Sequence, residues 1–511
     1  MMSFIQEGRF VSCLLKRSAV VPFRQHPSEA RRFAFRGLLV LIALSTPLML
    51  AAQSAGSQDY DTVILNGRVM DPESGLDAIR NVAIQSGKIV AISSEPMRGK
   101  STIDATGLVV APGFIDLHSH GQNAENYRYK AMDGVTTALE LEVGVYPVQP
   151  WYAAREGKAL INFGASSGHI AACMAVMHDT GTFLPRDKVI TDVPTAAQQE
   201  QILADVEEGL REGGLGIGMG LAYTPHETPA DIIKVFQIAA KSMRPVFVHM
   251  REPGALTPGV VDSLQEMIAD SAITGASVHI VHINSMANRL TPLALDMIRG
   301  ARARSLDVTT EAYPYIAGAT LLESNVFAPG WQQKLSIGYG DLQWVATGER
   351  LTEESFNRYR KQGGSVILFT NTEEMVRTAM ADPMVMIASD GLLKDGKGHP
   401  RSAGTYARLL GVYVREQKVL PLMEAIRKSS LAPAQRLEAF TPAMKHKGRL
   451  QVGADADIDV FDAGSVIDKA TFQNPAQYSY GFRYVFVDGI AVVRDGQLDE
   501  STLPGRGIRA R

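Results

Sequence analysis

Eight short apolar runs, most of them separated by stretches of helical character, leave few folds open to this sequence. They are Gly113–Leu117, Val135–Val143, Leu160–Phe163, Leu215–Leu221, Pro245–Val248, Ser277–Ile283, Asp307–Thr310 and Val385–Ala388. A strand covered by helices on both faces has no polar side, so it reads as a continuous apolar run. Ala197–Arg211 and Ala230–Lys241 typify the helical stretches between. Eight such strands alternating with helices predict an α/β chain closed into a (β/α)8 barrel over residues 112–444. The interval from Tyr315 to Met384 is too long for a simple connection. It predicts an insertion at about residues 316–383, after the seventh strand and in the position of a lid.

The flanks have a different rhythm. Thr62–Leu65, then Asn66-Gly67, reads as a strand entering a tight hairpin turn, and Val82–Ile84, Gly87 and Ile89–Ile92 as a second hairpin. Helix-like Leu420–Ser429 closes the barrel region. Beyond it, Gly448–Leu450, Ile458–Phe461 and Tyr484–Val487 read as strands, with Asp488-Gly489 as a turn. Segments 57–111 and 445–511 together predict a small β-sandwich beside the barrel.

Residues 1–56 hold seven Lys/Arg against two acids, and the apolar run Gly37–Leu50 is followed by Ala51, Ala52, Ser54, Ala55 and Gly56. A basic flank, a short apolar core and small residues describe a secretory signal. The run is too short for a comfortable membrane span. The expectation is therefore an exported, periplasmic or secreted protein without stable membrane association once the segment is removed; an uncleaved anchor is the rival reading. Removal takes away five positive charges, so the formal charge of -3 becomes -8 (-3 minus 5). Neither value suggests a nucleic-acid partner, and a homo-oligomer is an allowed state. Of Cys13 and Cys173 only the second lies beyond this segment, leaving one thiol and no internal disulfide.

Chemistry concentrates at the ends of the predicted strands, where barrel active sites sit. His118 and His120 end the first strand two residues apart, so both imidazoles face one side. Imidazole is the commonest metal ligand near neutral pH. Glu140 and Glu142 close the second strand, and acids in a buried apolar run are costly unless paired or metal-bound. Glu142, nearer the strand end, is the better ligand and Glu140 the better partner for a histidine; the reverse assignment stays open. His249 and His282 end two further runs and complete a metal-ligand set, while His279 points the other way, as a packed histidine. Asp390, after the eighth strand, is placed to take a proton from water and pass it to a leaving nitrogen. Arg401 suits bidentate capture of a substrate carboxylate, and the Tyr313 hydroxyl suits an oxyanion. His169 is a further pocket candidate, and Arg251 a positioning residue.

From about Asp61 to Gly496 the chain resembles the amidohydrolase superfamily, and within it the D-aminoacylase (N-acyl-D-amino-acid deacylase) branch. The resemblance rests on Pro112–His120, Gly134-Val135-Thr136-Thr137, His249-Met250-Arg251, Ser389-Asp390-Gly391, His399-Pro400-Arg401 with Gly404-Thr405, and Gly453-Ala454-Asp455-Ala456-Asp457. It implies one or two zinc ions (another divalent metal is compatible) and hydrolysis of an N-acyl amino acid. By motif it makes His118, His120, His249 and His282 ligands, Asp390 the general base and acid, Arg401 the carboxylate anchor and Tyr313 a carbonyl contact. Two positions depart from the branch. Where it usually has Asn-Cys-Gly, with the cysteine on the metal, this chain has Glu142-Val143-Gly144, which makes Glu142 the natural substitute. Where it often has a lysine, this chain has Asn284. A cyclic-amide hydrolase or a dipeptidase is the alternative within the hydrolases, although no lysine stands at a barrel-strand end to bridge metals as in many cyclic-amide enzymes. A catalytically inactive ligand-binding barrel is the alternative outside them.

Overall fold

The computed structural model describes residues 59–510, so the predicted signal segment lies outside the described residues. Five strands come first: β1 (Tyr60–Asp71), β2 (Leu76–Gln85), β3 (Lys88–Ser93), β4 (Gly99–Asp104) and β5 (Val109–Pro112). The barrel follows with β6 (Phe114–Asp116), β7 (Val135–Val145), β8 (Asn162–Gly168), β9 (Ile217–Gly220), β10 (Val246–His249), β11 (Val278–Ile280) and β12 (Val308–Ala312). Between β12 and the last barrel strand, β16 (Val385–Ile387), the chain builds an antiparallel sheet of β13 (Gly318–Leu321), β14 (Leu342–Trp344) and β15 (Ser365–Leu368). The short pair β17 (Leu393–Lys394) and β18 (Lys397–Gly398) follows. Last come β19 (Ile458–Phe461), β20 (Phe482–Val487), β21 (Ile490–Arg494) and β22 (Gln497–Leu498).

The eight apolar runs are the eight barrel strands, ordered β16-β12-β11-β10-β9-β8-β7-β6 with every neighbouring pair parallel. Connecting helices start where the sequence can cap them. Thr195 and Gln198 form a capping box ahead of helix Ala196–Arg211, and Thr228 with Pro229 opens helix Pro229–Lys241. The seam between β16 and β6 closes just past the strand ends, where Asp390 N–H donates to His118 O at 2.7 Å and His120 N–H to Gly391 O at 3.0 Å.

A buried ion pair reinforces this seam. Lys130 Nζ, on helix Ala124–Met132, donates to Asp116 Oδ2 at 2.7 Å and also to Ser389 Oγ. Asp116 Oδ1 in turn accepts the backbone N–H groups of His118 (3.2 Å) and Ser389 (2.9 Å), joining the two strands that deliver His118 and Asp390. Asp116 is fully buried, so its charge depends on Lys130. Lys130→Met is expected to destabilise the fold by about 3–5 kcal/mol, read from urea unfolding curves; a loss below about 1 kcal/mol, the scale of an exposed pair, would show that the pair does not hold the seam.

Beside the barrel, N- and C-terminal segments share one nine-stranded sheet, in which β5 and β19 pair antiparallel. Phe461, Phe482 and Val485 pack with barrel residues such as Phe114, while Ile64, Val69, Val82 and Ile458 form a separate core. Several local expectations are corrected here. Asn66-Gly67 is not a hairpin turn but a bulge inside β1, where Asn66 takes a φ of 62°. Val110 packs so close that a Cβ on Gly67 would meet its Cγ2 at 2.4 Å, so glycine is needed for close approach rather than reversal. Gly448–Leu450 is a bend, not a strand, with Gly448 at a φ of 72°. The run ending at His282 stops pairing at Ile280, because His282 adopts a φ of 35° and turns into helix Ile283–Ala287. Among the described residues no helix is long and apolar enough to cross a membrane.

Candidate metal centre and active site

Residues far apart in sequence converge at the C-terminal mouth of the barrel. Glu142, near the end of β7, is the hub. Its Oε1 lies 2.8 Å from His249 Nδ1 and 3.1 Å from His282 Nε2. Its Oε2 lies 3.0 Å from His118 Nε2 and 3.2 Å from His120 Nε2. One carboxylate thus joins two pairs of histidines, with each oxygen serving one pair. Asp390 Oδ1 stands 3.2 Å from His120 Nε2 and 3.5 Å from His118 Nε2, completing the first group. Asp390 and His282 both hold left-handed backbone, with φ of 52° and 35°. Such conformations are uncommon for residues other than glycine and cluster at functional sites.

A second layer fixes the rings. Glu140 Oε2 sits 2.9 Å from His120 Nδ1, and Glu311 Oε1 sits 2.6 Å from His118 Nδ1. With Nδ1 engaged, each ring presents Nε2 to the centre, the arrangement that orients metal-binding histidines. Glu311 also meets His279 Nε2 at 3.1 Å, and His279 Nδ1 meets Thr309 Oγ1 at 2.8 Å, so the packed histidine braces the carboxylate behind His118. Burial opposes charge throughout, yet His118 is pushed up to about 10 by Asp390, Glu142 and Glu311. Glu311 is brought down to about 2, against its burial, by His118 and His279. Sequence reasoning had assigned Glu311 no role. Its signal was an acid inside a buried strand, two residues before Tyr313.

The donor set fits divalent metal. Two groups, His118/His120/Glu142/Asp390 and Glu142/His249/His282, each bring their ligand atoms within 4.8 Å of one another and share Glu142. Glu140, Glu142, Glu311 and Asp390 crowd four carboxylates around the histidines, with Arg401 paired to Asp390, and in the metal-free chain a proton on His118 offsets part of that charge. A divalent ion can take the place of such protons, and imidazole with carboxylate is a zinc donor set.

Arg401 stands on the far side of Asp390. Its Nη2 donates to Asp390 Oδ2 at 2.8 Å, while Nε and Nη1 are buried without a partner. Burial opposes the charge of Asp390, but Arg401 and His118 hold its carboxyl well below the usual range. His399 positions this arginine: its Nδ1 accepts the Arg401 backbone N–H at 3.0 Å, so its Nε2–H donates to Ala317 O at 3.0 Å. The Tyr313 ring lies 4.4 Å under the guanidinium, and its hydroxyl also lacks a partner. A Cβ on Gly318 would meet Tyr313 Oη at 3.2 Å, Ser285 Oγ at 3.4 Å and Arg401 Nη1 at 4.0 Å. Glycine here therefore keeps open a spot bordered by three polar groups. Asn284 is fully buried and donates to Tyr313 O at 3.1 Å, so it supports that tyrosine's backbone.

All this opens into a cavity of about 510 Å³, whose outer wall comes partly from the β13–β15 insertion through Leu321, Val326 and Leu335. Arg251 lines its mouth and pairs with Glu266 at 3.1 Å. Tyr223, which sequence reasoning had passed over, also lines it, with its ring 4.8 Å from that of His249. His169 does not belong here and is corrected. It begins helix His169–Met177, fully buried and absent from the cavity lining, because the helix turns its ring away from the barrel mouth.

Comparison with known proteins agrees with this geometry. Residues 101–185 match the model of the Amidohydrolase family. A D-aminoacylase of Alcaligenes xylosoxydans xylosoxydans is 29% identical over 479 residues, spanning 85% of this chain and 95% of that protein. The structure of N-acyl-D-glutamate deacylase from Bordetella bronchiseptica, complexed with zinc and a phosphonate mimic of the tetrahedral intermediate, superposes with a TM-score of 0.75 at 26% identity, covering 89% of this chain and all of that one. A D-aminoacylase structure described for its binuclear metal centre gives a TM-score of 0.76 at 25% identity over 88% of this chain and all of that one. In sequence and in fold the chain is thus similar to the amidohydrolases, and within them to the D-aminoacylases.

Proposed function

We propose that this protein is an exported zinc hydrolase that removes the acyl group from N-acyl-D-amino acids. The observation that carries the reading is the position of Asp390, between the Glu142-bridged histidines and an arginine whose remaining donors are buried and unused. His118, His120, Glu142, His249 and His282 are the residues that would hold zinc. When bound there, the metal supplies Lewis-acid activation of water and of the amide carbonyl.

The chain's own residues do the rest. Arg401 Nε and Nη1 receive the substrate carboxylate, which ends their burial without partners. The Tyr313 hydroxyl, which borders the space above cavity-lining Gly318, donates to the oxygen that gains charge as water adds to the carbonyl. Asp390 accepts the proton of the attacking water and returns it to the amide nitrogen, so the C–N bond breaks to a carboxylate and a free amine. Leu184, Leu221, Leu321, Val326 and Leu335 offer an apolar wall to the acyl group. Support for the D configuration comes from the relatives named for N-acyl-D-amino acids. Support for export comes from the basic flank and apolar run of residues 1–56.

The test is chelator-sensitive hydrolysis across N-acyl D- and L-amino acids, with cyclic amides and dipeptides alongside. Cleavage confined to N-acyl-D-amino acids is the expected result, and activity only on uncharged or cyclic amides would discard it. Arg401→Met should raise KM for the carboxylate substrate by about 10–100-fold, since a charged hydrogen bond contributes about 1.5–3 kcal/mol. It should leave an amide lacking that carboxylate far less affected.

A further inference from the structure

Outside the cavity, three buried side chains bring their possible ligand atoms within 4.8 Å of one another. Cys173 Sγ lies 3.8 Å from both ring nitrogens of His169 and 3.9 Å from Glu227 Oε1. Glu227 Oε2 lies 3.8 Å from His169 Nε2. His169 and Cys173 are four residues apart on one helix and so share a face, while Glu227 comes from the loop between β9 and helix Pro229–Lys241. Exposure is 0% for His169, 1% for Cys173 and 5% for Glu227. Gln199, from helix Ala196–Arg211, donates Nε2 to Glu227 Oε2 at 2.8 Å, and its Oε1 is buried with no partner. None of the four lines the cavity.

We propose that His169, Cys173 and Glu227, with the Gln199 amide, form a second metal site that binds zinc structurally. An imidazole and a carboxylate joined by a direct hydrogen bond would stand about 2.7–3.2 Å apart, but here they stand 3.8 Å apart. Tetrahedral zinc, with bonds of about 2.3 Å to sulfur and 2.0–2.1 Å to nitrogen and oxygen, separates its ligands by about 3.3–3.6 Å. The separations of Cys173 Sγ and Glu227 Oε2 from the His169 ring nitrogens exceed that spacing by only a few tenths of an ångström. Thiolate, imidazole and carboxylate are a zinc donor set. Cys173 gives up its thiol proton to solvent as the sulfur–metal bond forms, and the thiolate and carboxylate then neutralise a divalent ion in a place where net charge is costly. The Gln199 amide has nearly the same shape in either orientation; turned over, it offers its unused oxygen as the fourth donor. With no open position the site is structural, tying two helices and a loop together.

Cobalt(II) ion as the sole added metal tests this directly, because the barrel-mouth centre contains only nitrogen and oxygen donors. With Cys13→Ser as the background, Cys173 is the only thiol in the chain. The expected result is a thiolate-to-cobalt charge-transfer band in the near ultraviolet. Cys173→Ser should lose that band and one metal equivalent per chain while keeping the hydrolytic rate of its parent. Cobalt-treated protein without the band, or a Cys173→Ser variant with an unchanged metal count, would overturn the proposal. Metal lost from Glu142→Ala with the band intact would locate that failure at the barrel mouth instead.

Discussion

Asp390→Asn should lower kcat by about 10²–10⁴-fold, the range for removing a general acid–base group, while most of the zinc stays bound, because His118, His120 and Glu142 of that donor group remain. The amide keeps the size of the carboxyl and can still receive Arg401 Nη2, whose contact with Oδ2 is 2.8 Å. What it lacks is a site that takes a proton from water and returns it to nitrogen. Steady-state kinetics together with metal analysis decide the matter. The loss should fall on kcat rather than KM, because Arg401 keeps its other donors for substrate. Near-normal turnover in a fully metallated Asp390→Asn protein would take the aspartate out of proton transfer.

Glu142→Ala should have the larger effect on composition. Its two oxygens reach four histidine nitrogens between 2.8 and 3.2 Å, and it is the one residue common to both candidate ligand groups. Burial opposes its charge, but His118 and the rings around it hold it well below the ordinary range of a glutamate, ready to ligate at neutral pH. Without it each histidine pair loses its anionic ligand, and metal content and activity should fall together. Metal analysis after gel filtration measures the loss; wild-type content would mean that Glu142 is not a ligand. His282→Ala would remove a ligand from only one group, and should spare part of the metal that Glu142→Ala loses.

Much of this was legible in the sequence, for identifiable reasons. A strand covered on both faces leaves a continuous apolar run, so the eight barrel strands could be seen before any pairing was known. Period-two spacing put His118 with His120 and Glu140 with Glu142, and the structure brings these four together. What stayed hidden depends on partners remote in sequence. Glu311 braces His118 across 193 positions, and Ser389 reaches Asp116 across 273. Neither separation leaves a local pattern. Asn66-Gly67 misled because the pair reports backbone with positive φ, which a bulge uses as readily as a turn. His169 misled because a histidine just past a strand can begin a helix, and the helix then chooses which way the ring faces.

The insertion between β12 and β16 carries an apolar core of its own, in which Leu322, Phe327, Trp331, Phe356 and Val366 pack together apart from the barrel's clusters. Yet the same segment lends Leu321, Val326 and Leu335 to the wall facing the acyl group. Leu321 and Val326 also pack against Val143, Leu184 and Tyr223 outside the insertion, so the segment's inner face is shared with the barrel. Residues that share partners do not accept change independently, so Leu321 and Val326 are tied to the barrel, while Leu335 belongs to the insertion's own core and is the freer position. In evolutionary terms this is a partial division of labour: the barrel preserves the reaction, and the insertion's own core is where the cavity wall can vary with least disturbance to it.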